Sequence, residues 1–294
     1  MFILEFFHNN PALLFFIAQA GLLAYSLYLP FLSGQLSLAS PAFFAIGGYI
    51  GAIFSVNPTH LALLYRLAGA LGTSGLYLLE FAVAALFCTA LGIIVGILAL
   101  RLRGIYLALA TIALIEIVQV LGNNLTIAGG ATGIFGIPRT ATSGQAWILL
   151  AIVLLFVWRL EKTRTGRALI AIREDELVAE SLGIRTTYYK VLAFTLGAAL
   201  AGITGVLGAH YLNTWNPEQG TFSSAIDILS WVIVGGSTNF LGPFLGSALL
   251  TLLPELLRFL QDFRLVVDGL LLTLVVIFFP QGLAGLWRPR RRRA

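Results

Sequence analysis

Long segments with very few charged residues are the feature of this sequence that most constrains its fold. Segments such as 77–100, 191–212 and 265–280 approach the roughly 20 residues that an α-helix needs to cross a bilayer. Over the whole chain 59% of residues are hydrophobic, 11% are charged and the mean hydropathy is +0.93, whereas soluble domains carry about 25% charged residues. The sequence therefore predicts an all-α polytopic membrane protein. It excludes a soluble enzyme, a disordered chain and a nucleic-acid-binding protein.

Apolar periodicity predicts about nine helices that cross or partly cross the membrane. The segment 222–236 is short for a span, and 35–56 is rich in glycine and contains Pro41. The first segment follows Glu5 and lacks the basic flank of a secretory signal, so we expect it to be retained. The predicted segments are 13–32, 35–56, 77–100, 104–122, 145–160, 190–212, 222–236, 242–260 and 265–280.

Basic residues in the connecting loops predict the orientation. Arg101 and Arg103 follow the third segment, and the loop 161–190 carries several further lysines and arginines, whereas the loop 123–144 carries only Arg139. Because basic loops stay in the cytoplasm, we expect the N-terminus outside and the C-terminus inside. Residues 1–287 then form a single membrane domain, followed by an arginine-rich tail, 288–294, against anionic lipid.

Two carboxylates inside apolar segments are candidates for a hydrophilic path. A carboxylate at the centre of a membrane helix costs roughly 2.5–3.5 kcal/mol, so each requires a partner or a watery cavity. Glu116 precedes Gln119 and Asn123 on nearby turns, and Asp227 lies in a second apolar stretch. Both acids either line a path or form structural hydrogen bonds. Glu80, at the outer start of its segment, is expected to be interfacial only.

A polar stretch opens the second predicted segment. Proline at position 41 is expected to interrupt the helical hydrogen bonds there, and irregular backbone at membrane depth survives only where protein or a cavity covers it. The stretch is therefore either a discontinuous helix that lines a translocation path or a kinked packing helix. The candidate path residues here are Gly34, Gln35, Ser37 and Ser40.

The loop 161–190 carries the strongest functional signal from residue pattern alone. It reads EKTRTGRALIAIREDELVAESLGIRTTYYK, in which Gly166 and Gly183 bracket an apolar stripe and a dense mixed-charge patch. A loop of this length with its own helix is long for a bundle with tight turns. We therefore expect one amphipathic cytoplasmic helix that docks a partner protein, in preference to a merely solvated surface.

Motifs for enzymatic chemistry are lacking in the sequence. There is no G-x-x-x-x-G-K-[ST] stretch, no H-E-x-x-H and only Cys88, and the histidines His8, His60 and His210 are scattered singly. The chain is therefore not expected to be an enzyme or to bind a metal or cofactor. Any ATP hydrolysis that drives it must occur on a different polypeptide.

Glycines recur at helical spacing in two of the predicted helices. Gly47, Gly48 and Gly51 lie in one of them, and a series from Gly197 to Gly208 lies in the other. Small residues at such spacing let helices approach closely in lipid. A weak repeat, a glycine-containing turn followed by a glycine-spaced helix, also relates 33–51 to 235–246.

An ordered set of motifs resembles one transporter family. The motifs are GQLSL (34–38), FFAIGGY (43–49), RLRGIYLALATIALIE (101–116), GGATGIFGIP (129–138), TRTGRALIAIREDELVAESLGI (163–184), AFTLGAALAGITGVL (193–207), IDILSWVIVGG (226–236), LGPFLG (241–246) and PQGL (280–283). Together they resemble the permease subunits of ABC importers for branched-chain amino acids. The chain departs from the family pattern at 39–41, where Gly-His-Ala is frequent, and at Asp227, where Glu is frequent.

The resemblance implies a transporter complex of several different subunits in the inner membrane of a prokaryote. Two ABC ATPases would bind ATP and Mg²⁺, a second related permease would pair with this chain as a hetero- or homodimer, and a periplasmic or lipid-anchored binding protein would deliver the solute. The apolar residues of the coupling segment would contact an ATPase and its charged residues would orient it. The implied coupling residues are Gly166, Arg167, Ala168, Ile172, Arg173, Glu174, Asp175, Glu176, Ala179, Leu182 and Gly183.

Alternative functions remain open on sequence alone. A related ABC permease could carry urea, short amides or another small polar solute. An ion-coupled secondary transporter could use Glu116 and Asp227 as proton or sodium sites, and a channel or scaffold is a third class. The long mixed-charge loop favours a system driven by separate ATPases.

Overall fold

The computed structural model describes residues 11–56, 72–99, 102, 104–236, 239–256 and 269. Their helices are α1 (Pro11–Phe31), α2 (Ser40–Val56), α3 (Gly72–Ala99), α4 (Ile105–Asn124), α5 (Ser143–Lys162), α6 (Arg164–Glu174), α7 (Glu176–Ser181), α8 (Thr186–Leu212), α9 (Phe222–Gly235) and α10 (Gly242–Leu256). Two short strands, β1 (Ile134–Phe135) and β2 (Thr214–Trp215), pair antiparallel, and 3₁₀ turns lie at Thr126–Ala128, Gly130–Thr132 and Pro217–Gln219.

The helical membrane class predicted from the apolar segments is confirmed. In the described residues five helices are long and apolar enough to cross a membrane: α1, the Gly75–Ala99 part of α3, α4, α5 and α8. The shorter apolar helices are α2 and the Gly242–Leu253 part of α10. The predicted segment 265–280 lies outside the described residues, apart from Gly269, so the total of about nine stays a prediction.

Helix α8 forms the centre of the bundle and contacts α1, α2 and α3. A Cβ added at Gly47 would collide with the backbone of Gly202, and one added at Gly205 would collide with the carbonyl of Phe44. The backbones of α2 and α8 are therefore in direct contact. The prediction that these glycines allow close helix packing is confirmed.

The helices around α8 alternate in direction. Gly51 and Ser55 of α2 lie beside successively later turns of α8, so α2 runs parallel to it. On α1 and α3 the order is reversed, because Gln19 lies beside Gly208 while the later Ser26 lies beside the earlier Gly197. Such alternation is what a chain crossing back and forth produces. The absolute orientation in the membrane stays a prediction.

The segment 32–39 between α1 and α2 is not helical, although it is largely buried. The Leu38 amide donates to Thr111 Oγ1 at 3.0 Å. A side chain of α4 therefore satisfies a backbone amide that would bond to a backbone carbonyl if this segment were helical. Helix α2 begins at Ser40, and Pro41 therefore lies in its first turn, where a missing N–H leaves no hydrogen bond unmade. The expectation that Pro41 interrupts a helix beginning near residue 35 is wrong.

Helices α9 and α10 form a hairpin that turns back inside the bundle. A Cβ at Gly235 would meet the Gly242 carbonyl, so the two helices touch at their backbones. The Tyr25 hydroxyl donates to the Phe240 carbonyl at 2.6 Å, which places the turn beside the interior of α1. Helix α9 has 14 residues, a length of about 21 Å, which is shorter than the roughly 30 Å hydrocarbon core.

Candidate translocation path and coupling segment

The predicted coupling segment is two short helices. Thr163 Oγ1 accepts the Gly166 amide at 3.2 Å at the start of α6. Asp175 then ends α6, and its carboxylate accepts the amides of Leu177 and Val178 at 2.9 and 3.1 Å, which makes it the N-cap of α7. The expected single helix over 166–183 is therefore wrong, because the Asp175 side chain satisfies the first amides of a new helix.

The apolar stripe of this segment faces the interior of the chain. Ala168, Ile172 and Ala179 are buried, together with Leu169. Gly166 lies against the Leu160 carbonyl, so α6 packs tightly on the end of α5. The expectation that Ala168, Ile172 and Ala179 contact an ATPase is wrong, since these side chains are already packed within the permease.

A different apolar surface of the segment points outward. Leu177 and Leu182 are 69% and 74% exposed, and Val178 is exposed beside them. We call these three residues the α7 patch. Of the predicted apolar contacts Leu182 alone belongs to it, and the Asp175 N-cap before a hydrophobic pair is the sequence signal that could have identified the other two residues.

Charged residues of the segment lie around the α7 patch and around the junction between α6 and α7. Glu174 and Asp175 are exposed and Arg173 is half-buried, with its guanidinium 3.7 Å from the Glu174 carboxylate. Lys190 Nζ lies 2.5 Å from the Glu176 carboxylate and joins the start of α7 to α8. Arg167 is exposed, and Gly183 has φ +81°, a conformation that favours glycine. The predicted charged surface is thus present around α7.

The coupling segment touches the beginning of the predicted path. A cavity of about 250 Å³ lies between residues 33–36 and residues 172–176, with Lys190 on its wall. Gly34 has φ +75°, and a Cβ there would lie 3.3 Å from the Arg173 Cα. The structure therefore brings Gly34 and Gln35 together with Arg173, Glu174, Asp175 and Glu176, which are distant in sequence.

Gln35 is the unsatisfied polar group of this stretch. Ser33 Oγ donates to the Pro30 carbonyl at 2.8 Å, and Ser37 Oγ accepts the Ala39 amide at 3.4 Å. Both amide atoms of Gln35 are buried and have no hydrogen-bond partner among the described residues. An unsatisfied buried amide raises the free energy of the conformation that contains it. Ser40 is also buried, at the first position of α2.

A second cavity, of about 280 Å³, lies between α1, α2, α9 and α10. Asp227 lines it, together with Gln19 from α1, which is only 7% exposed. We call it the α9 cavity. Its polar lining residues are Gln19, Gln219, Ser224, Asp227 and Thr251. Gln19 was missed in the sequence because a single glutamine in an apolar helix carries no spacing signal.

The polar residues predicted on α4 lie on its outer face. Glu116 and Asn123 are exposed and Gln119 is half-buried, with the exposed Ile117 and Val120 between them. The Asn123 side chain donates to the Gln119 carbonyl of its own helix at 3.0 Å. The single chain does not bring these residues to either cavity, and their role in the path stays a prediction.

Glu80 and His210 form a buried pair that the sequence reading missed. Glu80 is 0% exposed and His210 2%, and Glu80 Oε2 lies 2.5 Å from His210 Nε2. Ser55 donates to the other Glu80 oxygen at 2.7 Å, while His210 Nδ1 lies 2.9 Å from the Pro138 carbonyl. The expectation that Glu80 is only interfacial is wrong. Within the described part of the chain, no group of three or more His, Cys, Asp or Glu could hold a metal.

These features define the class of the molecule: a multi-pass helical membrane protein with partly polar cavities between its helices. The family model described as "Branched-chain amino acid transport system / permease component" matches residues 11–279. The chain belongs to this family of permease components.

Similar proteins carry related descriptions. The chain is 34% identical over 295 residues to the high-affinity branched-chain amino acid transport system permease protein LivM of Escherichia coli (strain K12), covering 88% of this chain and 66% of that protein. It is 30% identical to the permease protein LivH of the same kind of system in Salmonella typhimurium, over 53% of this chain and 51% of LivH. The autoinducer 2 import system permease protein LsrC of Salmonella paratyphi B is 30% identical, over 51% of this chain and 46% of LsrC. No solved structure matches the chain.

Proposed function

We propose that this chain is the membrane-spanning permease subunit of an ABC importer that moves branched-chain or other apolar amino acids into the cytoplasm of a prokaryote. The observation that carries the proposal is the match of residues 11–279 to the family of branched-chain amino acid permease components. Similarity to LivM over 88% of the chain supports the substrate class. In this proposal the chain itself is not an enzyme.

The proposed partners follow from the exposed surfaces. The α7 patch, Leu177, Val178 and Leu182, is apolar and bordered by Glu174 and Asp175, and we propose that it docks one of two ABC ATPases. The outer face of α4 carries Glu116, whose carboxylate would be costly against lipid. A second, related permease would cover this face and enclose Glu116, Gln119 and Asn123. A periplasmic or lipid-anchored binding protein would deliver the solute from outside.

The proposed transmission route runs through the contact between Arg173 and Gly34. Movement of α6 and α7 by an ATPase would reach residues 33–36 directly, because both line one cavity. The unsatisfied Gln35 amide favours a segment that rearranges, since another conformation could satisfy it. This route requires the N-terminus outside and the coupling segment in the cytoplasm, as the basic loops predict.

Uptake by the reconstituted complex tests the function. The permease, its companion permease and its ATPases would be placed in proteoliposomes with the binding protein, and uptake of radiolabelled leucine, valine and urea would be measured. We expect uptake of leucine and valine that stops without ATP and continues after collapse of the proton gradient. Uptake that continues without ATP but stops on collapse would identify a secondary transporter. Uptake of urea but not of leucine would overturn the substrate class.

A further inference from the structure

The lining of the α9 cavity is mixed. Gln19, Ser224 and Asp227 are among its polar residues, and Leu23 and Trp231 are among its apolar ones. The remaining apolar contributors include Phe16, Phe44 and Ile228. Its volume of about 280 Å³ is near the lower limit of the roughly 300–1,000 Å³ of small-molecule pockets. The space therefore suits a small molecule that has both polar groups and an apolar part.

Gln19 is a polar group of this lining that lacks a partner within the described part of the chain, as Thr251 Oγ1 also does. It is 93% buried, since 7% of it is exposed, and it has no hydrogen-bond partner among the described residues. Gly208 leaves room for its amide, because a Cβ there would lie 2.8 Å from Gln19 Nε2. A primary amide offers two donors and one acceptor. Leaving them unpaired in a buried site is unfavourable, so a polar occupant of the cavity would lower the free energy.

Asp227 sets the charge preference of the cavity. It is the charged side chain among the described residues that line it, and it lies on α9 one turn after Ser224. A carboxylate next to amide and hydroxyl groups favours a ligand with a cationic group over a simple anion. Because the lining also carries aromatic and branched side chains, the rest of that ligand must be apolar.

We propose that the α9 cavity binds an L-amino acid with an apolar side chain. Its ammonium group contacts the Asp227 carboxylate, its carboxylate accepts a hydrogen bond from the Gln19 amide, and its side chain packs among Leu23, Phe44 and Trp231. This inference rests on the proposed function and deepens it. It assigns a substrate site to this permease itself, at the place where α9 and α10 enter the bundle.

Direct binding to the intact complex tests the proposal. The permease with its companion permease and ATPases, but without the binding protein, would be placed in lipid nanodiscs, and binding of radiolabelled L-leucine would be measured. We expect saturable binding that Asp227→Asn and Gln19→Leu each weaken about ten- to one-hundredfold, the loss typical of one charge-assisted hydrogen bond. Asp227→Glu should retain binding because it keeps the carboxylate.

Glu218→Gln is the matched control, since it removes an equal charge from an exposed residue that does not line the cavity. Two competitors test the two ends of the ligand. Isopentylamine lacks the carboxylate and 4-methyl-2-oxopentanoate lacks the ammonium group, so each should compete at least about tenfold less well than leucine. Leucine should also protect Ser224→Cys from a thiol reagent in a Cys88→Ala background, a readout independent of transport.

Two results would contradict the proposed binding site in the α9 cavity and leave the proposed function intact. Asp227→Asn and Gln19→Leu could bind leucine with wild-type affinity, or the complex could import leucine with its binding protein and yet bind none without it. In the second case the cavity holds lipid or solvent only. Failure of ATP-driven uptake of any amino acid would instead remove the function on which the inference rests.

Discussion

Glu80 and His210 show how a membrane protein retains two titratable groups where little water reaches them. His210 Nδ1 lies within hydrogen-bond distance of both the Pro138 carbonyl, at 2.9 Å, and Thr140 Oγ1, at 2.8 Å. Its other ring nitrogen faces Glu80 Oε2, and Ser55 donates to Glu80 Oε1. Every polar atom of the pair therefore has a partner inside the protein. The pair also joins α3 and α8 to the loop after β1.

The first prediction concerns this pair. Glu80→Leu or His210→Leu alone should destabilise the permease by about 3–5 kcal/mol, because each leaves an unpaired buried polar group. The double variant should lose much less than the sum of the two. The measurement is a double-mutant cycle on the free energy of unfolding in mixed micelles, with Asn124→Ala on the exposed end of α4 as control. Additive losses would show that the two groups act independently.

At the scale of elements, α6 and α7 show where sequence patterns lose information. The apolar stripe over 166–183 identifies a helical segment with two faces, but core packing and partner docking produce the same stripe. Only the fold shows that Ile172 and Ala179 face inward while Leu177 and Leu182 face outward. The break at Asp175 decides this, because it reorients α7 relative to α6.

The second prediction tests the α7 patch. Leu177→Glu and Leu182→Glu should abolish co-purification of the ATPases and ATP-driven uptake while the permease stays folded, since both side chains are exposed in the single chain. Thr187→Glu, exposed but outside the patch, is the matched control. Ala179→Trp should instead reduce folding, because Ala179 is buried. Full uptake by both leucine variants would show that the ATPase docks elsewhere.

The third prediction concerns the N-cap of α7. Asp175→Ala removes two backbone hydrogen bonds and should destabilise α7 locally by about 0.5–2 kcal/mol. Amides of 176–181 should then exchange hydrogen about two- to thirtyfold faster, while those of α8 stay unchanged. Asp175→Asn should preserve most of the protection because asparagine is also a good N-cap. Unchanged exchange in Asp175→Ala would mean that packing of Ala179 alone holds α7.

For the whole molecule, the sequence predicts where the helices lie along the chain better than how deep they lie in the membrane. Apolar length locates α1, α3, α4, α5 and α8, and glycine spacing locates the contact between α2 and α8. The turn of α9 and α10 inside the bundle was not predictable, since a short apolar segment looks alike whether it crosses or turns back. Glu80 and His210 are 130 residues apart, and one chain carries no local pattern over such a separation.

The fourth prediction concerns the orientation of the molecule. In a Cys88→Ala background, Thr132→Cys should react with an impermeant maleimide in intact spheroplasts, because its loop is predicted to lie outside. Ser181→Cys should react only after permeabilisation. Both positions are exposed in the single chain, and the permease is expressed without its ATPases so that docking on α7 does not shield Ser181→Cys. The opposite labelling pattern would invert the topology and exclude docking of a cytoplasmic ATPase on α7.

The backbone contacts of Gly47 with Gly202 and of Gly205 with Phe44 have a mechanical consequence. Close-packed interiors have low compressibility and pass strain on instead of absorbing it. Helices α2 and α8 should therefore act as a stator, a fixed frame against which other parts turn during each transport cycle. The moving parts are then the helices outside this frame, α6 with α7 and α9 with α10, and a displacement of the first pair can reach the second through the frame with little loss.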